Sequence, residues 1–544
     1  MPSPSSRPDV VVLGAGLAGL SLARHLVRET DARVLILERR DEVPGDRQKV
    51  GESTVQLAGY YFSRVLGLEE MLLREHYPKY NLRFYHSPRG EPATDFADFG
   101  QTYVRQLSNV WSYQLDRNRL ERRLAEELER EPRVDWALGI SDLEVEPGAA
   151  GGHEVRWREA GAARSVTCEW VVDATGRRRF LVRKNGTHRD VAFRHGAAWG
   201  WVDGLVDIER LTARSEREVR LDPARRALGH APVWLATNHF CFDGGWFWVI
   251  PLHGRTSLGV VFDREVMGFS DVSRPERFVE WVGRRFPLFA GELARRPLVG
   301  FGGHQSFAYD CERTLSPDGW AITGEAGRFS DPFYSPGSDL IALHNTMIVD
   351  AVRASSAEER RERCERHERV LAALFRAYLP AYEASYRTIG DQECQILKYG
   401  WELAVYFAFY VFPFLNDLFT DRRFVTGFAR RFARLGDLNR ATQQRVVELY
   451  RAKRQEGSVG LCEEPYWDFL RFPALAAAEA TFYEVGLDAV AAREVLDRQL
   501  ASLEGFAAAI DRYVGERLAA GRAADPGSFD WERRGAGRPL SRMA

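Results

Sequence analysis

The first strong pattern is an apolar, β-branched run at 9–13 (D-V-V-V-L), closed by Gly14-Ala15-Gly16-Leu17-Ala18-Gly19. A helical stretch follows to about Val27, then a second apolar run at 33–37 that ends in Glu38. Unbroken apolar runs bounded by turn residues mark strands buried on both faces. Strand, turn, helix and strand in succession predict a parallel sheet. Further helices are predicted over 56–75 and 117–131, and a further strand over 168–173. Between 192 and 299 the pattern changes. Strand-like runs at 200–206, 240–250 and 256–262 predict a second, antiparallel sheet. A strand at 320–323 precedes Gly324, and 357–516 is predicted to be strongly helical. The last residues, rich in Gly, Arg and Pro, read as a loose tail.

Three regions follow from this pattern. Residues 1–80, 110–190 and 300–375 form a discontinuous nucleotide-binding domain. Residues 81–109 and 191–299 form an antiparallel-sheet substrate subdomain, and 376–544 a helical C-terminal region. A chain of 544 residues has the length for such an arrangement.

Composition narrows the function. A formal net charge of -2 gives no basic surface for nucleic acid. The six cysteines are scattered without paired spacing, which argues against a disulfide framework or a zinc site and for a reducing, cytoplasmic setting. The most apolar late stretch, 403–415, is too short to cross a bilayer and holds Pro413, so no transmembrane segment is expected. Positive charge is almost all arginine; the lysines are Lys49, Lys79, Lys184, Lys398 and Lys453. A lysine kept against that bias is favoured where a compact, deprotonatable amine is needed.

The glycine turn carries the first chemistry. Gly14 permits the tight turn, Gly16 lets backbone approach a pyrophosphate, and Gly19 lets the helix pack on the sheet. Glu38 stands where a carboxylate would accept from ribose hydroxyls. Val171-Val172-Asp173-Ala174-Thr175-Gly176 and Gly324-Glu325-Ala326-Gly327 are two more strand-to-turn segments, the second followed by Asp331-Pro332. In this order the three resemble the nucleotide-contact motifs of FAD enzymes related to the aromatic hydroxylases, with Glu325 where that family usually has Asp. Arg117, followed by Leu120 and Leu124, resembles that family's arginine-led helix near the flavin. The resemblance implies an α/β fold: a glutathione-reductase-like, doubly wound FAD-binding domain, with FAD contacts at Gly14, Gly16, Gly19, Glu38, Arg117, Asp173, Gly176, Gly324 and Glu325.

Gly51-Glu52-Ser53-Thr54 is a polar turn in which Ser53 or Thr54 suits a helix cap. Trp246 and Trp248, in W-F-W-V-I-P, point to one face of a strand, which suits a core as well as a cleft. Both motifs resemble those of the flavin-dependent halogenases, more the phenol, pyrrole and tetracycline types than the tryptophan type. The resemblance implies that Glu52 is catalytic, that Ser53 touches the flavin edge, and that the two indoles wall the flavin off from organic substrate. Lys79, in H-Y-P-K-Y-N, would hold hypohalous acid or be halogenated by it. Residues 331–338 (D-P-F-Y-S-P-G-S) resemble the halide loop, with Ser335, Gly337 and Ser338 as halide ligands. Pro336 departs from that loop by lacking an N–H, and Tyr334 stands where tryptophan halogenases carry glutamate. The aromatic-rich stretch 400–416 is a core helix face or the roof of a pocket.

The implied reaction uses reduced FAD, oxygen and halide on an electron-rich aromatic small molecule, free or held on a carrier protein. No second dinucleotide fingerprint is found, so a separate NAD(P)H flavin reductase is the expected partner. The alternatives are an FAD monooxygenase or dehydrogenase without halide use, and a flavin-binding protein without chemistry.

Overall fold

The computed structural model describes residues 7–88, 92–148, 152–460, 465–520, 526 and 529–531. The chain divides into two compact units. The first is Met1–His76, Leu115–Val191 and Ala308–Phe375; the second is Tyr77–Gln114, Ala192–Phe307 and Arg376–Ala544. Residues 376–544 thus share a unit with the sheet expected to be antiparallel, which is mixed: Leu82–His86 runs parallel to Thr237–Phe242 and Tyr466–Asp468 parallel to Gly100–Tyr103; Lys79 lies in this second unit. The C-terminal tail and Cys462 lie almost entirely outside the described residues.

In the first unit five strands pair in parallel: Trp320–Ile322, Trp170–Asp173, Val10–Leu13, Val34–Leu37 and Val134–Ala137, with Leu315–Ser316 antiparallel at the edge. The parallel strands in chain order lie 3-2-1-4-5, the doubly wound arrangement. Val10–Leu13 sits at the centre with every residue buried, which its unbroken Val run suits. The order reverses between Val10–Leu13 and Trp170–Asp173, and ligands bind at the carboxyl ends of strands at such a switch point. Helix Leu17–Glu29 follows the first strand. The run expected over 168–173 belongs to two sheets. Cys168 ends a three-stranded antiparallel meander (Ser141–Pro147, His153–Glu159, Ala162–Cys168), and the parallel strand begins at Trp170. The helix expected over 56–75 divides into Gln56–Tyr60, a π-helical turn Tyr61–Val65, and Glu69–Glu75, interrupted at Gly67, whose φ is 65°.

The second unit is built on eight strands in the order Leu298–His304, His195–Asp203, Arg255–Asp263, Gly245–Leu252, Thr237–Phe242, Leu82–His86, Gly100–Tyr103 and Tyr466–Asp468. The run expected as one strand over 240–250 is a hairpin. It turns at Asp243-Gly244, where Gly244 has φ 83°, a left-handed conformation that glycine adopts without strain. Tyr466–Asp468 is an edge strand inside a stretch expected to be helical.

The two faces of this sheet differ in chemistry. Tyr85, Phe240, Phe247, Val260 and Ala198 form one cross-strand row that packs with Phe278 and Val282 of helix Pro275–Arg285 into an apolar core. The next row lies on the opposite face: Trp467, Thr102, Phe84, His239, Trp248, Gly259, Trp199 and Gly302. Helix Gln392–Tyr406 covers part of that face through Tyr399, whose ring is 4.7 Å from Phe84. This helix is buried along its whole length, and its buried charges are paired, Lys398 with Glu402 and Glu393 with Lys453. Asp391 caps it through Cys394 N–H at 2.9 Å, and Asp421 caps the long helix Arg422–Glu456 through Phe424 N–H at 2.9 Å. Helices Pro473–Phe482 and Ala489–Ala520 complete the unit. Among the described residues, no helix is long and apolar enough to cross a membrane, and no cluster of metal-ligating side chains occurs.

Candidate active site

In the first unit the glycine turn has the geometry a dinucleotide needs. Gly14 has φ 106°, and a Cβ there would lie 2.7 Å from Ala174 O. A Cβ on Gly19 would lie 2.0 Å from Gly14 O, so the turn and the helix start meet backbone to backbone. A Cβ on Gly16 would meet nothing within 4 Å. Gly16 is also the N-cap of helix Leu17–Glu29, which has no side-chain cap and no acid in its first turn. Its first N–H groups and dipole therefore suit a phosphate. Gly19→Ala is expected to cost about 3 kcal/mol in the first unit through overpacking. Purified protein would then lose its flavin absorbance, with a lowered calorimetric Tm as the check.

Glu38 accepts from Ala15 N–H at 2.8 Å and from Arg40 N–H and Nε–H at 3.0 Å each. Burial pushes its pKa up, but these hydrogen bonds and the Arg40 charge outweigh burial and hold it below the ordinary glutamate value. An ionised carboxylate is thus fixed beside the glycine turn. Asp173 is spent on its own loop: it accepts from Thr175 N–H at 2.9 Å, Thr175 Oγ1 at 2.6 Å and Leu181 N–H at 2.7 Å. It shapes the second turn, where Gly176 (φ 56°) has open space around its missing Cβ. Gly324 (φ 59°) lies against Ala18, where a Cβ would come within 3.0 Å. Glu325, next to it, is half-buried; burial raises its pKa, countered by the charges of Arg177 and Arg117. The guanidinium of Arg117 donates to Val50 O at 3.0 Å and to Glu121 at 2.8 Å. It therefore pins the loop that carries Gly51, and Lys49 pairs with the same buried Glu121.

Glu52 and Ser53 are buried, and Glu52 O accepts from Leu115 N–H at 2.5 Å. The capping expected of Ser53 or Thr54 is not what the structure shows. Val55 is the N-cap, and Ala58 N–H is satisfied by Asp339 at 2.9 Å, from a helix nearly 300 residues away in sequence. In the 331–338 loop, Tyr334 (φ 70°) and Ser335 (φ 62°) are consecutive left-handed residues, a conformation costing about 1–2 kcal/mol per residue. Ser335 N–H donates to Pro332 O at 2.9 Å. Pro336 is the N-cap of helix Gly337–Val352, so the first helical N–H groups are those of Gly337 and Ser338. Asp339 stands in the same turn as an acid. Of the three donors expected of this loop, the Ser335 N–H is thus spent within the loop, while those of Gly337 and Ser338 open the helix.

In the second unit, Lys79 is buried, with 4% of its surface exposed, and its N–H donates to Ser112 O at 2.8 Å. Its neighbour in charge is His239, whose pKa is pushed down to about 3, mainly by burial and further by Lys79. His239 Nδ1 lies 3.1 Å from Arg83 O, so Nδ1 carries the proton and donates. The imidazole is 4.8 Å from the Phe84 ring and 4.9 Å from Trp246. Trp246 and Trp248 lie side by side at 5.7 Å, both buried. Trp246 Nε1 donates to Tyr386 Oη at 2.9 Å and Trp248 Nε1 to Ser257 Oγ at 3.1 Å. Gly259 makes the room for Trp248, since a Cβ there would fall 2.2 Å from the indole. His239 thus packs against Trp246 and feels the charge of Lys79. Neither His239 nor Tyr386 stands out in the sequence; the signal for His239 is the strand register that sets it opposite Trp248.

This fold and these glycine turns define an FAD-binding flavoprotein. The FAD binding domain family matches residues 7–241. The chain is 24% identical over 476 residues to the flavin-dependent halogenase chlA of Dictyostelium discoideum, covering 80% of this chain and 77% of that one. It is 24% identical over 358 residues to a 1H-pyrrole-2-carbonyl peptidyl-carrier-protein chlorinase of Pseudomonas fluorescens, covering 63% and 74% of the two chains. The fold matches that of halogenase PltM, solved in complex with phloroglucinol and FAD, with a TM-score of 0.61 at 16% identity over 91% of this chain and 96% of that one. The chain is a flavoprotein related to the flavin-dependent halogenases.

Proposed function

We propose that this protein is an FAD-dependent halogenase that uses reduced flavin, oxygen and chloride or bromide to halogenate an electron-rich phenolic or pyrrolic natural product. The observation that carries the reading is the buried Lys79, whose charge acts on His239, a ring packed against Trp246 of the Trp246–Trp248 pair. The substrate class follows the relatives: one acts by name on a carrier-bound pyrrole, and the structural neighbour was solved with phloroglucinol. A separate NAD(P)H flavin reductase would supply the reduced cofactor.

The residues of the first unit fit FAD. The helix start at Gly16 takes the pyrophosphate, and Glu38 takes the ribose hydroxyls. Arg117 holds the loop of Gly51, Glu52 and Ser53 in place. FAD, when bound in reduced form, supplies the electrons that activate oxygen for oxidation of halide. Gly337 and Ser338 N–H groups donate to the halide. In the second unit the paired indoles exclude water and organic substrate. Lys79 donates an N–H to hypohalous acid and orients its halogen toward the substrate ring. His239 stays neutral at working pH, so it adds no positive charge of its own to that of Lys79.

A second reading, oxygenation without halide, is favoured by one feature: the loop carries Pro336 and Asp339 around its two remaining donors. The test is incubation with reduced FAD, oxygen, bromide and a phenol, with products read by mass spectrometry. Bromophenol supports the halogenase. Oxygenated product free of bromine supports the second reading, and failure to take up FAD overturns both.

A further inference from the structure

In the first unit the halide loop is entered from a buried charged cluster. Arg328, the residue after Gly327, is wholly buried. Its Nε donates to Asp310 Oδ1 at 2.8 Å, Nη1 to Thr314 Oγ1 at 3.1 Å and Nη2 to Glu368 Oε1 at 2.7 Å. Burial pushes its pKa down, but the charges of Glu368 and Asp310 outweigh burial and hold it above the ordinary arginine value. Glu368 Oε2 also accepts from Thr314 N–H at 2.7 Å and Leu315 N–H at 3.0 Å, so the acid is itself fixed. Phe329, the next residue, pairs with Tyr309 through backbone hydrogen bonds of 2.8 and 3.0 Å. A Cβ on Gly337 would lie 3.6 Å from the Phe329 ring. The residue beside the buried charge thus touches the first helical donor of the halide loop. Between Phe329 and Gly337 stand the consecutive left-handed residues Tyr334 and Ser335. Strained backbone of this kind persists only where its surroundings over-determine it. Beyond the strain the chain is fixed by Asp339, which accepts from Ala58 N–H at 2.9 Å. Before the strain it is fixed by Arg328.

We propose that Arg328 is a positioning residue for halide: clamped between Asp310 and Glu368, it anchors the strained loop so that the Gly337 and Ser338 N–H groups converge on the anion. The proposal rests on the halogenase reading above and deepens it. Arg328 does not act as the anion's own counter-charge. One cation against two carboxylates leaves the cluster net negative, which repels bromide. Its effect therefore runs through the backbone that follows it. Arginine suits the place because its fork spans two acids and a hydroxyl at once, which the point charge of a lysine does not. The third glycine turn has a fastening of its own. Thr323 N–H donates to Asp173 O at 2.9 Å and Thr323 Oγ1 to Asn345 Oδ1 at 2.7 Å. Loosening Arg328 should thus weaken halide binding and spare the flavin.

The test is steady-state bromination of a phenol by the full-length, FAD-loaded protein with bromide varied, beside bromide titration of the flavin absorbance. Removing Arg328 alone would strand two buried carboxylates. The cluster is therefore neutralised together: Arg328→Met with Asp310→Asn and Glu368→Gln, amides that still accept from Cys311 N–H and Thr314 N–H. The KM for bromide is expected to rise about tenfold, the scale on which groups behind a ligand's donors act, with FAD uptake and the KM for the phenol within about twofold of native. Arg328→Lys keeps the charge without the fork, and a smaller rise of about threefold is expected. A bromide KM at the native value in either variant that takes up FAD overturns the proposal. An equal rise in the bromide and phenol KM values, the mark of general loosening, overturns it too. Loss of FAD from both variants would assign Arg328 to the fold and count against it in the same way. Native protein whose flavin absorbance responds to bromide while the phenol stays unbrominated sinks the halogenase reading alone, and the bromide titration of the variants then decides the role of Arg328. Neither response nor bromination in the native protein overturns both.

Discussion

Replacing Lys79 by methionine is expected to lower the halogenation rate about 10³-fold, within the range a positioned proton-bearing group contributes, and to leave FAD binding unchanged. Methionine keeps most of the buried aliphatic stem, which matters because only 4% of Lys79 is exposed. All the residues assigned to FAD lie in the other unit, so flavin uptake reports folding independently of the reaction. Two further readouts separate a role in halogen transfer from a structural one. First, the variant should still consume oxygen and halide, and the hypohalous acid that escapes should chlorinate a reactive 1,3-diketone added as a trap. Second, Lys79→Arg should not restore activity, because a guanidinium is bulkier, planar and held protonated. Lys79 also lowers the pKa of His239, so its loss moves that pKa upward; burial remains the larger cause and keeps the ring neutral near pH 7. An unchanged rate of halogenated product in Lys79→Met would remove the lysine from the mechanism.

The sequence was most legible where local pattern and tertiary role coincide. The unbroken Val run at 10–13, the glycine turn and the acid at Glu38 occupy one continuous βαβ segment, so spacing alone located the turn at the carboxyl end of the first strand. The W-x-W pair was legible for the same reason, since alternation along one strand settles which side chains share a face. What the sequence concealed depends on partners far along the chain. His239 becomes part of the Lys79 environment only because Thr237–Phe242 pairs with both Gly245–Leu252 and Leu82–His86. Asp339 caps a helix that begins at Gln56, and no local rule connects them. Tyr466–Asp468 is a strand only because Gly100–Tyr103 offers it an edge; three residues carry too little pattern to announce themselves. The hairpin at Asp243-Gly244 was legible in principle from the Asp-Gly pair, but the aromatic residues on both sides run together as one apolar stretch.

Acidification from pH 6.5 toward pH 4 is expected to destabilise both units steeply. His25 and His344 in the first unit are each pushed down to about 4, and in the second His86 is pushed down to about 4 and His239 to about 3. Burial is the largest cause in all four. In the unfolded chain these rings take up protons near the ordinary histidine value of about 6.5. Between that value and the folded one, the unfolded state binds more protons, so stability falls as pH falls. The stabilisation is fully present above pH 6.5, and the loss from these groups is complete once pH drops through the folded values. Each such histidine contributes a slope of about 1.4 kcal/mol per pH unit. Two in each unit give about 3 kcal/mol per pH unit, a large share of a domain's typical 5–15 kcal/mol. Raised carboxyl pKa values at Asp173 and Glu325 act in the opposite direction in the first unit, because they take up protons more readily when folded. Denaturant melts at half-unit pH steps measure the slope directly. His239→Gln keeps a donor for Arg83 O and removes one titrating group, and the slope in the second unit should then fall by about 1.4 kcal/mol per pH unit. An unaltered slope would mean that His239 is not held neutral, and the argument that Lys79 stands beside an uncharged ring would fail with it.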